Sequence, residues 1–166
     1  MNKAIDTLVL LLIGALIGVN IFFSYVVAPL LFSHFDHRHA GEIMNIIFPY
    51  YFASGWIIGI VLYTLIGIKS IKDKQIIKKY RGFIIGVLIL VITHMALHKT
   101  VLPIGKNLSA QYYSAVDKGE KKKASELKSK FKTVHGISST INVFNLILEI
   151  YLFQYYFLRE RRLKKV

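Results

Sequence analysis

The apolar residues of this chain are gathered into four stretches, and each stretch is long enough to cross a lipid bilayer as a helix. Such a crossing takes about 20 residues. The stretches cover residues 7–32, 49–68, 82–102 and 136–158. With histidine counted as neutral, they contain two charged residues, Lys99 in the third and Glu149 in the fourth. The pattern predicts an all-α, four-helix transmembrane bundle that forms a single domain over residues 1–166.

Basic residues outnumber acidic ones, with 22 Lys and Arg against 9 Asp and Glu, and the formal net charge is +13. In a soluble protein such an excess indicates a nucleic acid or another acidic partner. Here 54% of the residues are hydrophobic, and nearly all charges lie between or after the apolar stretches. Basic residues at the ends of membrane helices contact anionic lipid headgroups. We therefore expect membrane lipid as a partner and no nucleic acid.

The placement of the basic residues predicts the orientation of the chain. Four spans put both termini and the second connection on one side of the membrane, here called side A, and the other connections on side B. Residues 69–81 carry six basic residues, and five more follow Leu158. Because basic residues in short segments near helix ends stay in the cytoplasm, both termini are predicted to be cytoplasmic, in the plasma or inner membrane. The first stretch is too long for a cleaved signal peptide and is expected to be retained.

Two segments outside the spans have helical patterns of their own. In residues 36–48 the apolar and polar residues fall on opposite faces of a helix, which predicts a short interfacial helix between the first and second spans. Residues 120–132 are rich in helix formers and lead directly into the fourth span. We expect them to extend that span as one long helix that projects beyond the membrane on side B.

One face of the fourth stretch is polar. Its members follow each other at steps of three and four residues: His135, Ser138, Asn142, Asn145 and Glu149. Residues at these steps share one side of a helix. Turned towards lipid, the face would leave its polar groups without partners, so we expect it to point into the bundle. It either fixes the packing of the helices through hydrogen bonds or forms a ligand, cofactor or ion site, with Glu149 as a proton or cation acceptor.

All six histidines fall in the side B half of the predicted bundle. Imidazole is the commonest metal ligand in proteins and also binds haem iron. A metal ion is therefore predicted at His94, His98 and His135, and a cofactor, haem or copper, at His98, His135, Asn142 and Glu149. Alternatively, His94 and His98 are hydrogen-bonded residues of the bundle. The remaining histidines are expected to be solvated near the membrane surface: His34, His37 and His39.

Three of the stretches carry pairs of glycines four residues apart. The pairs are Gly14 and Gly18, Gly55 and Gly59, and Gly82 and Gly86. Small residues at this spacing let helix backbones approach closely in a membrane, where lipid supplies no hydrophobic force to associate helices. We interpret the pairs as packing positions and not as a functional site.

No catalytic motif accompanies these residues, so an enzymatic activity is not favoured. The chain has no cysteine, which excludes disulfides, thiolate metal sites and cysteine nucleophiles. Three functions compete. The protein is a module that binds a small ligand, a metal or haem within the bundle, an oligomeric transport or permeation protein, or an accessory subunit of a membrane complex. In the last case the basic helix at residues 120–132 is the expected docking surface.

Two segments resemble a known family. Residues 26–52 read VVAPLLFSHFDHRHAGEIMNIIFPYYF, and residues 131–142 read FKTVHGISSTIN. Both are similar to the pattern of the transmembrane protein 205-like family, a four-helix transmembrane group of unknown function, and the resemblance extends over nearly the whole chain. It includes His135 and Asn142, whereas His94 and His98 lie outside the family pattern. The resemblance implies a four-span topology and no particular activity, although eukaryotic members are linked to resistance to platinum drugs.

Overall fold

The structure, a computed structural model, describes residues 2–163, with the side chains of residues 2, 72, 162 and 163 outside the description. Apart from short connections, this part of the chain is helical. In chain order the elements are α1 (Asn2–Ile21), a π-helical segment (Phe22–Val27), α2 (Ala28–His34), α3 (His37–Lys72), α4 (Gln75–Lys79), α5 (Arg81–Ala96), a second π-helical segment (Leu97–Val101), α6 (Leu102–Asp117) and α7 (Lys121–Leu163).

The elements combine into four long helices. The first consists of α1, the π-helical segment and α2, the second is α3, the third runs from α5 to α6, and the fourth is α7. In the described part of the chain all four are long and apolar enough to cross a membrane. The predicted all-α, four-helix architecture is thus confirmed, and each predicted span lies within one of these helices.

The predicted interfacial segment is helical, but it is not separated from the second span. It forms the first turns of α3, which continues through Pro49 without a break. The helix begins at Asp36, whose carboxylate accepts hydrogen bonds from the backbone N–H groups of Arg38 at 3.0 Å and His39 at 3.2 Å. Pro49 cannot donate to the carbonyl of Asn45, yet one missing bond does not end a membrane helix that its neighbours support.

The fourth helix extends well beyond a membrane, as predicted. At 1.5 Å per residue, the 43 residues of α7 span about 65 Å, about twice the hydrocarbon thickness of a bilayer. Its first turns pack against α6 in an antiparallel side B hairpin (residues 103–135), which reverses at Gly119 with φ of 72°. A small apolar cluster holds the hairpin together: Leu108, Tyr112, Ala115, Ala124 and Leu127.

An apolar core fills the half of the bundle nearer to side A. Its buried members come from all four long helices and include Ile13, Leu16, Leu62, Phe83, Val87, Leu90 and Leu152. The outer surface is also apolar, since Leu11 is 64% exposed and Ile147 is 62% exposed. Large apolar side chains on the outside are what a bundle surrounded by lipid requires.

The glycines of these pairs differ in how closely neighbouring side chains pack against them. A Cβ on Gly55 would lie 2.1 Å from Nδ1 of His94, and one on Gly59 would lie 2.5 Å from a methyl group of Val91. A Cβ on Gly86 would lie 2.6 Å from a methyl group of Leu152. Close packing therefore requires glycine at these positions, whereas Gly18 has nothing within 4 Å of the corresponding point.

Candidate functional site

A buried carboxylate lies in the middle of the bundle. Glu149 on α7 is 0% exposed. Its Oε1 lies 3.3 Å from Nε2 of His94 on α5, and its Oε2 accepts a hydrogen bond of 3.4 Å from Nδ2 of Asn20 on α1. His94 is 2% exposed and Asn20 is 1% exposed, so the three side chains meet away from solvent.

Hydrogen bonds continue from this point towards side B. Asn142 donates through Nδ2 to Oδ1 of Asn20 at 3.2 Å and to Oγ of Ser24 at 2.9 Å. Tyr51 on α3 donates its hydroxyl to Oδ1 of Asn142 at 2.7 Å. The network therefore ties together all four long helices. We call this network, together with the adjoining hydrogen-bonded pair of Thr93 and Asn145, the Glu149 centre, and its members are Asn20, Ser24, Tyr51, Thr93, His94, Asn142, Asn145 and Glu149.

Within the part of the chain that the structure describes, two buried polar atoms of the Glu149 centre have no hydrogen-bond partner. Asn145 accepts a hydrogen bond of 2.6 Å from the Thr93 hydroxyl, and its own Nδ2 has no acceptor among the described residues. Nδ1 of His94 likewise has no hydrogen-bond partner within residues 2–163. Because buried polar atoms nearly always find partners, two such atoms beside a buried carboxylate distinguish this network from ordinary packing.

Departures from regular α-helix adjoin the Glu149 centre on its side B flank. The π-helical segment Phe22–Val27 follows Asn20, and the segment Leu97–Val101 follows His94. Such wider turns occur frequently at functional sites. Across from them, Gly55 lets the backbone of α3 lie against the imidazole ring of His94. The site thus combines a local widening of the first and third long helices with the close approach of the second long helix, α3, to His94.

A second buried polar cluster lies near the side A end of the bundle. Nζ of Lys69 lies 2.6 Å from Oδ1 of Asp6 and 2.6 Å from Oε1 of Glu160. Tyr156 donates its hydroxyl to Asp6 at 2.8 Å, and Tyr80 donates to Glu160. All five side chains are buried. We call this cluster the Lys69 centre, and its members are Asp6, Lys69, Tyr80, Tyr156 and Glu160.

Residues 11–114 match the family model described as Domain of unknown function (DUF4149). The chain belongs to this family. An uncharacterized protein of Aquifex aeolicus (strain VF5) is 29% identical over 146 residues, which cover 87% of this chain and 91% of that protein. No solved structure matches the chain. The DUF4149 match includes Asn20, Lys69 and His94 and ends before Glu149 and Glu160, which lie on α7.

The predicted polar face of the fourth helix only partly enters the DUF4149 bundle. Asn145 and Glu149 are fully buried, and Asn142 is half-buried within the network. His135 is exposed and stacks on Phe131, with 6.1 Å between the ring centroids. The face begins in the side B hairpin, where water and headgroups satisfy polar groups, so only its inner part forms contacts between helices.

The predicted metal-binding histidines have different partners. His94 faces Glu149, whereas half-buried His98 accepts a hydrogen bond of 3.1 Å from Nε1 of Trp56. His135 lies on the exposed part of the fourth helix. Among the described residues no group of three or more His, Asp or Glu side chains is arranged to hold a metal ion. The histidines predicted to be solvated are all exposed: His34, His37 and His39.

Several residues of the two centres carry no direct signal in the sequence. Asn20 is a single polar residue in an apolar stretch, and Tyr51 is one of many aromatic residues. By position Lys69 belongs to the basic residues of the second connection, yet its side chain is 4% exposed and paired with two carboxylates. One signal was available. Asp6 directly precedes the first apolar stretch and Lys69 directly follows the second. Because consecutive spans run in opposite directions, the two oppositely charged residues are placed at the same end of the bundle.

Removing the Tyr51 hydroxyl tests the network. Tyr51→Phe leaves Oδ1 of Asn142 without its donor in a partly buried position, and we expect the free energy of unfolding to fall by about 1–2 kcal/mol. Tyr50→Phe is the matched control, because Tyr50 is the preceding residue and is 77% exposed. Unfolding titrations in mixed detergent micelles measure both variants. Equal stability of the two would show that the Tyr51 hydrogen bond contributes nothing.

Proposed function

We propose that this multi-pass membrane protein holds a small cation in the middle of its bundle, and that this cation is a proton shared by Glu149 and His94. The observation that carries the proposal is the contact between a fully buried carboxylate and a buried imidazole, 3.3 Å apart. A carboxylic acid and an imidazole are the two side chains that most readily exchange a proton near neutral pH.

The charge balance of the Glu149 centre supports a bound proton. The carboxylate faces one amide donor and one imidazole nitrogen, and among the described residues no Lys or Arg pairs with it. An ionised carboxylate in apolar surroundings is strongly unfavourable without a positive charge beside it. One proton removes the imbalance, either on Glu149 itself or as an imidazolium at His94.

The hydrogen-bond network gives the proton a route of exchange. From Glu149 the network continues through Asn20 and Asn142 to Tyr51, each step at 3.4 Å or less. The amide groups of Asn20 and Asn142 do not carry protons themselves, but together with the Tyr51 hydroxyl they provide a polar path that orients water, and water carries the proton. The route leads towards side B, where the π-helical segments widen two of the helices. We propose that the centre exchanges its proton with that side.

Infrared spectroscopy tests the proposal on the full-length protein in lipid nanodiscs. In spectra recorded across a pH titration, we expect a C=O stretching band of a buried protonated carboxylic acid, or the bands of an imidazolium, that disappears in Glu149→Gln. Glu126→Gln is the matched control, because Glu126 lies on the same helix and is exposed. Spectra of Glu149→Gln and of the wild type that are identical at every pH would refute a titrating proton at this site.

Binding of a metal ion at His94, His98 and His135, and of haem or copper at His98, His135, Asn142 and Glu149, stays a prediction of the sequence. The unpartnered Nδ1 of His94 is the feature that supports it within the bundle. Metal content and the absorption spectrum of protein purified from copper- and haem-supplemented cells test it. A band or bound metal that is lost in His94→Ala or His135→Ala would support binding, and colourless, metal-free protein would refute it.

We also propose that the protein resides in the plasma or inner membrane with both termini in the cytoplasm. The exposed basic residues of the second connection support this orientation, although buried Lys69 does not contribute to the surface charge. Of the five basic residues after Leu158, the side chains of Arg162, Lys164 and Lys165 lie outside the described residues. Accessibility of single cysteines introduced at exposed positions 78 and 130, probed on the two sides of intact cells, tests the orientation.

Kinship with the transmembrane protein 205-like family is part of this proposal. The segments at residues 26–52 and 131–142 support it, while the DUF4149 match supports membership in a family of unknown function.

We further propose three kinds of partner for this protein. They are membrane lipid, a second copy of the chain in a homo-oligomer, and a membrane complex that docks to residues 120–132. The exposed lysines of the side B hairpin support docking, and crosslinking in native membranes that recovers a reproducible partner would support it further.

A further inference from the structure

We infer that the Lys69 centre is a second proton-binding centre, in series with the Glu149 centre, and that the protein passes protons across the membrane between them. The inference rests on the proposed proton at Glu149 and adds a second site and a transport activity. It is carried by the charge and burial of the Lys69 centre, by its position on the same four helices, and by the apolar layer between the two centres.

The Lys69 centre has more negative than positive charge. It combines two buried carboxylates, Asp6 and Glu160, with one buried ammonium group, Lys69. Tyr80 and Tyr156 add hydroxyl donors but no charge. Arg159 directly precedes Glu160 on the fourth helix, and among the described residues it forms no ion pair with either carboxylate, so Lys69 is the cation that contacts both. One ammonium group balances one of the two carboxylates, and a proton on the other keeps the centre neutral at rest.

The two centres are arranged in series along the bundle. Glu149 and Glu160 lie on the same helix, and their separation of eleven residues corresponds to about 16 Å along the helix axis. Each long helix contributes a polar residue to each centre. The pairs are Asp6 and Asn20 on the first helix, Lys69 and Tyr51 on the second, Tyr80 at the N-cap of the third and His94 on the third, and Glu160 and Glu149 on the fourth.

An apolar layer separates the centres. Leu90 on the third helix and Leu152 on the fourth lie between them, and both are 0% exposed. The side chains nearest to each other along α7 are Glu149 and Tyr156, seven residues apart or about 10 Å. A direct proton transfer needs donor and acceptor within about 3 Å of each other. Protons therefore cross only when water enters the layer, which acts as the gate of the path.

At each step of the proton transfer, one bond to the proton breaks and another forms. From the resting state, release of a proton to side A breaks the O–H bond at a carboxylate of the Lys69 centre. When the layer is hydrated, the O–H bond at Glu149 or the N–H bond at His94 breaks, and its proton passes along water to the vacated carboxylate, where a new O–H bond forms. A proton taken up from side B then forms a new bond at Glu149 or His94, which restores the original charge of both centres. The membrane potential and the pH difference supply the driving force, so no other reactant is needed.

Proton flux into proteoliposomes tests the inference. The full-length protein is reconstituted with a pH-sensitive dye inside the vesicles, and a potassium gradient with valinomycin sets the membrane potential. We expect the wild type to acidify the interior faster than protein-free vesicles. Glu149→Gln removes the negative charge that holds the proton in the first centre, and Glu160→Gln removes the surplus negative charge of the second, so each should lower the protein-dependent rate by about a hundredfold. Glu126→Gln, at an exposed position, should leave the rate unchanged.

Two further outcomes separate this inference from the proposed function. Wild-type flux equal to that of protein-free vesicles would overturn the proton path, while the infrared band of Glu149 would still establish its proton. Flux lost in Glu149→Gln but unchanged in Glu160→Gln would overturn the role of the Lys69 centre. Should Glu160→Gln not fold, Asp6→Asn tests the same centre, because Asp6 is its other carboxylate. The folding of each variant is checked by its elution volume in detergent.

Discussion

Replacing Lys69 by methionine should be among the most destabilising single substitutions in this protein. Methionine keeps the length of the side chain but removes the ammonium group that lies 2.6 Å from both Asp6 and Glu160. Removal of one partner from a buried ion pair costs about 3–5 kcal/mol, because an uncompensated charge is left in apolar surroundings. We expect a loss of that size in the free energy of unfolding, measured by detergent titration in mixed micelles.

A control variant and a rescue variant show whether charge or packing causes this loss of stability. Lys78→Met changes an exposed lysine of the neighbouring connection and should leave the stability almost unchanged. A triple variant with Lys69→Met, Asp6→Asn and Glu160→Gln removes the ammonium and both carboxylates, so most of the lost stability should return. If the triple variant is as unstable as Lys69→Met, the cost comes from packing and not from charge.

Adding a single methyl group at Gly55 should disrupt the Glu149 centre. The new Cβ would lie 2.1 Å from Nδ1 of His94, so the imidazole must move away from α3. Overpacking of this kind costs about 3 kcal/mol, which outweighs the gain of at most about 1 kcal/mol from replacing glycine by alanine in a helix. We therefore expect Gly55→Ala to be destabilised in detergent titrations and to alter the Glu149 infrared band.

Gly67→Ala is the matched control for this substitution. Gly67 lies on the same helix, and a Cβ there meets nothing within 4 Å, so its stability should be unchanged or slightly higher. Combining Gly55→Ala with His94→Ala removes the clash, and the double variant should be no less stable than His94→Ala alone. Additive losses in the double variant would contradict the predicted contact.

The sequence was sufficient to predict the architecture, because lipid imposes a simple requirement. A stretch of about 20 apolar residues has few alternatives to a membrane helix. The helical period also identified Asn142, Asn145 and Glu149 as inward-facing, since lipid accepts no polar face at that depth. The same argument did not apply to His135, which lies in the side B hairpin and is exposed.

The composition of the two centres depends on contacts between distant parts of the chain. Glu149 meets Asn20 and His94, which are 129 and 55 residues away in the sequence. No local pattern specifies such pairs, because they depend on the order and rotation of the helices. Charge at a helix end was also ambiguous, since a lysine there either faces headgroups or pairs within the bundle. The structure resolves this choice for Lys69, whose partners are Asp6 and Glu160.

Solid-state NMR measures directly whether the Glu149 centre holds one proton. Protein labelled with ¹³C-glutamate and ¹⁵N-histidine in lipid bilayers gives the shifts of the Glu149 carboxyl carbon and of both His94 nitrogens, assigned with Glu149→Gln and His94→Ala. At neutral pH we predict either a protonated carboxyl beside a neutral imidazole or a carboxylate beside an imidazolium. A carboxylate beside a neutral imidazole would show that the Glu149 centre holds no shared proton.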